Sequence, residues 1–225
     1  APLWDVDIDL AALPFLEDHK VGGAVVYPGA AYVEAAIAAA RQTDDAAGHR
    51  VSLSDLKFNA ALTLAPGEKS SVQLSLDPGE GTFKIFGRTG KQPWLHHASG
   101  AIDKRASAGD APKVSLADMA KRCPEEVDVA DLYRSFTARG LQYGPAFRGI
   151  DQYHRGEATA FARLTLADDV SAEGYHLHPC LLDAGFQAVL GILTDEAAQD
   201  LMLPIRIDAV RINAVLPRQL FFFAE

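Results

Sequence analysis

The chain of 225 residues could form one large domain or two small ones, and its 48% hydrophobic and 23% charged residues are typical of a globular protein. Its formal net charge of −9, without any Lys/Arg cluster, argues against a nucleic-acid partner. The sequence contains no apolar run approaching the ~18 residues of a membrane span and no recognisable export signal. The two cysteines form no disulfide framework, so we expect a protein of the reducing cytoplasm.

The first half of the sequence predicts one helix followed by a series of strands. Residues 2–15 are expected to form a short strand and a turn, and the alanine-rich residues 30–42 a helix. Beyond this helix the hydrophobic residues alternate in several short segments: residues 51–64, 70–77, 81–90 and 93–102. A helix followed by such strands is typical of an α+β fold in which a curled antiparallel sheet surrounds the helix.

The second half of the sequence repeats this plan. Residues 127–140 have the pattern of an amphipathic helix that ends at a glycine, and residues 156–166 alternate like a strand. An apolar helix is expected to begin at Pro179. We therefore predict three segments: an N-terminal unit at residues 1–105, a linker at residues 106–125 and a C-terminal unit at residues 126–225. A second sheet equal to the first would need about three more strands than the sequence supplies, so C-terminal strands are expected to be missing.

His19 precedes two glycines and the first predicted helix, in the segment "HKVGGAVVYPG". An imidazole exchanges protons near neutral pH, so His19 could act as a general base. Gly22 and Gly23 lack a Cβ atom and would let a ligand carbonyl approach a backbone N–H near the positive end of the helix dipole. A base beside such a donor is suited to forming an enolate. A histidine with only a packing role is the alternative.

Asp183 and Gln187 are four residues apart on the second apolar helix and therefore share one face. Burying a carboxyl group favours its neutral form, so a buried Asp183 could donate a proton, and Gln187 could orient it by a hydrogen bond. The alternative is that Asp183 interacts only with the dipole at the start of its helix.

Tyr143, Gly144 and Pro145 are expected to form a turn that Phe147 anchors in the core. A tyrosine hydroxyl held on such a turn is a good hydrogen-bond donor to a substrate oxygen. A turn with a purely structural role is the alternative.

A metal site is not predicted. His176, His178 and Cys180 alternate in sequence, but Pro179 interrupts them and no second group with metal-ligand spacing accompanies them.

Three motifs resemble those of a known family, and they occur in the family's order. The first, H-x₃-G-x₄-P, contains His19, Gly23 and Pro28, and the second, Y-G-P-x-F, contains Tyr143, Gly144, Pro145 and Phe147. The third, D-x₃-Q, contains Asp183 and Gln187 and is preceded by His178 and Pro179. The family is the dehydratase domain of modular type I polyketide synthases, which is similar to the dehydratase of animal fatty acid synthase. The resemblance covers nearly the whole chain.

The resemblance implies a double hotdog fold, in which two units of one chain each wrap an antiparallel sheet around a long central helix. It implies that His19 of the first unit removes a substrate α proton and that Asp183 of the second unit protonates the leaving hydroxyl. The N–H of Gly23 would bind the thioester carbonyl, while Tyr143 and Gln187 would hold the hydroxyl and the carboxyl in line. The remaining motif residues would support the site: Pro28, Gly144, Pro145 and His178.

The implied reaction is the dehydration of a β-hydroxyacyl thioester, carried on the phosphopantetheine arm of an acyl carrier protein, to the α,β-unsaturated thioester. The implied partners are this carrier protein, adjacent synthase domains of the same polypeptide and a second copy of the chain in a homodimer. No metal or redox cofactor is required. Alternatives are a double-bond isomerase or cyclase on the same fold, and a non-catalytic acyl-binding or dimerisation module.

Overall fold

The structure, a computed structural model, describes residues 1–43, 50–103, 115–193 and 200–225. In its first part, strands surround one long helix, and the elements are β1 (Leu3–Ile8), β2 (His19–Val21), β3 (Ala24–Val25), α1 (Gly29–Thr43), β4 (Val51–Phe58), β5 (Ser70–Leu76), β6 (Thr82–Thr89) and β7 (Leu95–Ile102). The predicted helix and the strands that follow it are confirmed. In β5 every second residue is buried, from Ser70 to Leu76, because alternate side chains of a strand point to the same face.

The second part again places a long apolar helix among strands. Its elements are α2 (Leu116–Arg122), β8 (Glu125–Val127), α3 (Val129–Ala138), β9 (Leu141–Tyr143), β10 (Ile150–Arg155), β11 (Ala160–Thr165), α4 (Pro179–Leu190), β12 (Arg206–Ile212) and β13 (Gln219–Ala224). The expected helices correspond to α3 and α4, and the expected strand corresponds to β11.

The strands form three sheets whose neighbouring strands pair antiparallel. One sheet has the order β1-β5-β6-β7-β4-β12, the second β13-β11-β10-β8 and the third β3-β2-β9. One buried cluster lies around α1 and the first sheet, and a second lies around α3, α4 and the second sheet. The helices α1 and α4 contact each other. The architecture is thus α+β, with two helix-and-sheet units.

Two features depart from the predicted division into units. The linker expected at residues 106–125 contains α2 and the start of β8, while residues 104–114 lie outside the described residues. Ser115 caps α2 by accepting a hydrogen bond from the N–H of Asp118, a local helix signal that the polar composition of this segment concealed. In addition, β12 joins the first sheet beside β4, with Ile212 opposite Val51. Alternation in a sequence predicts a strand but does not say which sheet edge the strand will join.

The second sheet ends at β13, which pairs with β11 and with no other strand among the described residues. The expectation of further strands there stays a prediction. Within the same residues, no helix is long and apolar enough to cross a membrane.

Candidate active site

His19 begins β2 and is buried, with 7% of the residue exposed. Its Nδ1 lies 2.8 Å from the carbonyl oxygen of Val26. Because a carbonyl oxygen only accepts hydrogen bonds, Nδ1 carries a hydrogen and donates it to Val26. In the neutral imidazole this leaves the lone pair on Nε2, the nitrogen on the other side of the ring, free to accept a proton.

Asp183 faces this nitrogen from α4, with its Oδ1 at 3.6 Å from Nε2 of His19. Gln187, one turn further along α4, donates a hydrogen bond of 2.8 Å from Nε2 to Oδ2 of Asp183 and another of 2.9 Å to the carbonyl oxygen of Phe147. The Phe147 carbonyl fixes the orientation of the amide, because only its NH₂ end can donate. The hydrogen bond expected between Asp183 and Gln187 is therefore present, and the two halves of the chain meet at this pair.

A cavity of about 530 Å³ adjoins the pair. Polar side chains at one part of its wall are His19, Tyr143, Asp183 and Gln187. Most of the remaining lining is apolar and comes from α1, β4, α4, the turn after α4 and the segment before β12: Tyr32, Phe58, Phe186, Leu190, Leu193, Met202 and Leu203. Such a wall favours a ligand with a hydrocarbon chain, and the low polarity strengthens electrostatic interactions within the cavity.

Two opposing effects act on the pKa of His19. Burial of the imidazole lowers its pKa, whereas the nearby Asp183 carboxylate raises it, and the hydrogen bond to Val26 adds to this increase. The net effect is a pKa above 6.5, the value for an unperturbed histidine. Since the two side chains are both almost completely buried, their interaction is poorly screened by solvent. The pair therefore retains a proton to higher pH than a free imidazole does.

Tyr143 enters the site because β9 pairs with β2, which places Tyr143 directly opposite His19. The two rings are 5.8 Å apart, and the ring of Phe147 lies 5.0 Å from the imidazole. Burial and the nearby charge of Asp183 raise the pKa of Tyr143 far above its usual range. Its phenol therefore stays protonated and can donate a hydrogen bond into the cavity.

The structure does not bring Gly23 to the cavity. Gly22 and Gly23 are exposed, form the turn between β2 and β3, and have φ angles of 59° and 85°. The N–H of Gly22 donates to the carbonyl oxygen of Gly140 at 2.8 Å, and neither glycine belongs to the cavity wall. These residues are glycines because the turn requires positive φ, not because a ligand approaches them. The expected carbonyl donor at Gly23 is corrected accordingly.

Pro28 and Gly29 instead place the start of α1 at the cavity. The carbonyl oxygen of Pro28 accepts a hydrogen bond of 2.9 Å from the N–H of Ala31, so the helix begins directly after the proline. Gly29, the first helical residue, belongs to the cavity wall. The first N–H groups of an α-helix have no acceptor within the helix, and the helix dipole is positive at this end.

The turn that contains Gly144 and Pro145 holds the segment that carries Tyr143 against the first unit. The N–H of Gly144 donates to the backbone oxygen of Asp18 at 2.8 Å, and the N–H of Ala146 donates to the Asp18 carboxylate at 2.8 Å. A Cβ atom on Gly144 would overlap the Asp18 side chain. Neither Gly144 nor Pro145 lines the cavity.

His178 is the N-cap of α4. Its Nδ1 accepts a hydrogen bond of 3.1 Å from the N–H of Cys180, and Pro179 follows as the first helical residue. Burial and the nearby Arg218 lower the pKa of His178 to about 4, so the ring stays neutral and Nδ1 can accept at neutral pH. His178 thus supports the site by starting α4 and lies outside the cavity wall. Among the described residues, no three His, Cys, Asp or Glu side chains are placed to bind a metal ion.

Two carboxylates that the sequence analysis did not select also connect the halves of the chain. Asp18 binds the turn after β9, as described above, and Glu34 of α1 binds the segment before α4. The sequence contained a signal for Glu34, which is the only acidic residue in the apolar segment "GAAYVEAAIAAA". Asp18 has no comparable signal beyond its position next to His19.

Two helices of one chain, each enclosed by antiparallel strands, characterise the double hotdog class. The family described as "Polyketide synthase dehydratase domain" matches residues 1–88, and the one described as "Polyketide synthase dehydratase N-terminal domain" matches residues 111–225. The chain belongs to the polyketide synthase dehydratase family, and its fold is the double hotdog. It is accordingly a dehydratase domain, which is a lyase.

Similar proteins are large synthases. The phthioceranic/hydroxyphthioceranic acid synthase of Mycobacterium tuberculosis is 34% identical over 220 residues, covering 94% of this chain and 10% of that protein. The pikromycin polyketide synthase component PikAII of Streptomyces venezuelae is 34% identical over 225 residues, covering 92% of this chain and 6% of that protein. The chain thus spans about a tenth or less of the length of these relatives, in which the matching region is one part of a multidomain polypeptide.

Solved dehydratase domains have the same fold. The dehydratase domain from the CurK module of the curacin polyketide synthase superimposes with a TM-score of 0.85 at 26% identity, covering 97% of this chain and 80% of that chain. The dehydratase domain of a mycocerosic acid synthase-like polyketide synthase gives a TM-score of 0.83 at 28% identity, covering 95% of this chain and 76% of that chain.

Proposed function

We propose that the chain removes water from a β-hydroxyacyl thioester during polyketide assembly, with His19 as the general base and Asp183 as the general acid. The observation that carries this proposal is the separation of 3.6 Å between Nε2 of His19 and Oδ1 of Asp183 at the wall of an apolar cavity. Dehydration requires a proton to leave the α carbon and another to reach the β-hydroxyl, and these two side chains are suited to the two transfers.

His19 would remove the α proton with Nε2. The hydrogen bond from Nδ1 to Val26 keeps the lone pair of the neutral ring on Nε2 and holds the ring in place. The rings of Tyr143 and Phe147 beside it restrict its rotation. The base therefore has a fixed tautomer and a fixed direction, which favours proton transfer from a bound substrate.

Asp183 would deliver its proton to the β-hydroxyl, which leaves as water. The productive form of the pair has the proton on Asp183 and a neutral His19, and Gln187 holds the carboxyl group by donating to Oδ2. After one turnover the proton from the α carbon is on Nε2 and Asp183 is ionised. Transfer of that proton from Nε2 to Oδ1 restores the starting form without any other proton donor.

The thioester carbonyl gains negative charge as the α proton leaves, and it needs a hydrogen-bond donor. We assign this role to the start of α1 at Gly29, which belongs to the same cavity wall as His19 and Asp183. Its N–H is one of those left without an acceptor within the helix, and the helix dipole stabilises a negative charge there. Tyr143 would donate from its protonated phenol to the β-hydroxyl oxygen and orient it toward Asp183.

Solved dehydratase domains support the assignment of base and acid. A histidine-to-phenylalanine variant of the CurJ dehydratase and an aspartate-to-asparagine variant of the CurK dehydratase are inactive mutants. These are the residue types that meet in the present site. The presence of Asp183 also favours dehydration over double-bond isomerisation, because moving a double bond requires a base but no acid for a leaving hydroxyl.

Substrate delivery and assembly belong to the same proposal. We expect the acyl group to arrive on the phosphopantetheine arm of an acyl carrier protein, the chain to act beside other synthase domains, and the domain to form a homodimer. The proposed steps transfer only protons, so they require no metal or redox cofactor. The similar synthases are much longer than this chain, which supports the expectation that it acts beside adjacent domains.

The function is tested by incubating a β-hydroxyacyl thioester with the chain and following the loss of one water by mass spectrometry. We expect His19→Phe, which keeps a ring between Tyr143 and Phe147, and Asp183→Asn each to lower kcat at least about 10²-fold, the usual contribution of a general acid or base. The matched controls His154→Phe and Asp118→Asn lie away from the cavity wall and should retain the wild-type rate. Wild-type turnover in His19→Phe or Asp183→Asn would contradict the assigned roles, and an inactive wild type would favour the non-catalytic module.

A further inference from the structure

Glu34 is a buried carboxylate that the proposed chemistry does not use. It lies in the middle of α1, is 5% exposed, and has alanine and other apolar residues on both sides in the helix. Burial raises its pKa, while the hydrogen bonds it accepts and the charge of Arg41 lower it. A carboxylate is rarely buried unless it is paired or hydrogen-bonded, so its contacts indicate why it is there.

Both carboxylate oxygens of Glu34 bind the backbone of the other half of the chain. Oε1 accepts a hydrogen bond of 2.8 Å from the N–H of His176, and Oε2 accepts one of 3.0 Å from the N–H of Leu177. The imidazole Nδ1 of His176 lies 3.4 Å from Oε1. The segment is further fixed by Leu177, which is 4% exposed and packs in the core around α1.

The bound segment leads directly into α4. His178 follows Leu177 as the N-cap, Pro179 is the first helical residue, and Asp183 lies little more than one turn further on. An α-helix is a rigid element, so a shift of its N-terminus is transmitted to a side chain so close to that end. His19, in contrast, is held within the first unit by its hydrogen bond to Val26. The distance between base and acid therefore depends on how α4 is attached to the first unit.

We infer that Glu34 is a positioning residue, which ties the start of α4 to α1 and thereby sets the separation between Asp183 and His19. This inference rests on the proposed function for its kinetic consequence. Glu34 does not belong to the cavity wall and is not assigned any contact with substrate. If Glu34 served only to stabilise the fold, any substitution that destabilises α1 to a comparable extent would have the same effect on the reaction.

Glu34→Gln is the sharpest substitution, because it keeps the volume of the side chain and one acceptor oxygen. Its NH₂ group cannot accept, so one of the two N–H groups at positions 176 and 177 loses its partner. We expect kcat to fall about tenfold with KM within about twofold of wild type, because misplacement of a catalytic group slows the chemical step more than it weakens binding. Glu34→Ala removes both acceptors and should have a larger effect in the same direction.

A measurement without substrate separates positioning from stability. If Asp183 moves away from His19, the charge of Asp183 raises the pKa of the imidazole less. The pKa of His19 should therefore be lower in Glu34→Gln than in the wild type. NMR titration of the histidine ring measures this change. The matched control is Ile37→Val, which removes one methyl group from a fully buried residue of the same helix and no hydrogen bond. It should leave both kcat and the pKa of His19 unchanged.

The inference is overturned if Glu34→Gln keeps the wild-type kcat and His19 pKa, or if its losses are no larger than those of Ile37→Val. If Glu34→Ala does not fold, Glu34→Gln alone decides. If the wild-type chain shows no dehydration, the proposed function fails, but the NMR titration still tests whether Glu34 positions Asp183.

Discussion

The proton that the His19–Asp183 pair retains links the proposed chemistry of the site to the stability of the fold. Burial lowers the pKa of His19, but the nearby Asp183 carboxylate and the hydrogen bond to Val26 together raise it above its ordinary 6.5 in the folded state. The stabilisation from this pair is therefore fully present below pH 6.5 and is lost as the pH rises through the folded-state pKa. The proposed reaction needs the same proton, so activity and this part of the stability should decline together at alkaline pH.

We predict that Asp183→Asn lowers the pKa of His19, because the neutral amide supplies no charge to offset the burial of the imidazole. NMR titration of the ring at a series of pH values measures this directly. The control Asp118→Asn changes a carboxylate that is exposed on α2 and should leave the His19 pKa unchanged. An unchanged pKa in Asp183→Asn would mean that the two side chains do not interact in solution.

At the level of elements, the turn after β9 depends on close contact with Asp18. The backbone at Gly144 has a φ of −84°, which any residue can adopt, so conformational freedom is not the reason for a glycine there. The reason is steric, because the Asp18 carboxylate occupies the position of a Cβ atom while it accepts from the N–H of Ala146. This contact keeps β9, and with it Tyr143, beside β2.

Gly144→Ala should therefore lower the free energy of unfolding by about 1–3 kcal/mol, the usual cost of overpacking. Urea denaturation of the wild type and the variant measures this loss. In an Asp18→Ala background, where the nearest atoms are removed, the same substitution should cost less, as a double-mutant cycle would show. An equal cost in both backgrounds would contradict the steric explanation.

Across the whole molecule, two hydrophobic clusters are joined by shared strands and by the site itself. β12 of the second half pairs with β4, and β9 pairs with β2. Phe15 packs against both clusters. The halves therefore share backbone hydrogen bonds as well as side-chain contacts, and His19 and Asp183 face each other only when the halves are joined.

We accordingly predict a single cooperative unfolding transition. Leu53→Ala in the first cluster and Leu164→Ala in the second each remove a fully buried side chain and should shift this same transition by about 2–5 kcal/mol. Denaturant unfolding followed by circular dichroism and by tryptophan fluorescence provides the measurement. Two separate transitions, each sensitive to only one substitution, would show that the halves unfold independently.

The amino-acid sequence alone determined the features that depend on neighbouring residues. The alanine-rich pattern predicted α1, alternation predicted β4 to β7, and the spacing of Asp183 and Gln187 predicted their shared helix face. These features follow from the repeats of helix and strand, which act over a few residues. The motif resemblance then assigned His19 and Asp183 to one site, although nothing local in the sequence places them together.

Only the tertiary structure decided which distant residues meet. It placed Gly23, the expected carbonyl donor, in an exposed turn, and it placed β12 in the first sheet. It also revealed that Asp18 and Glu34 hold the segments carrying Tyr143 and Asp183. Such contacts join residues more than 120 positions apart. They arise from the packing of whole elements, which local hydrophobic patterns do not encode.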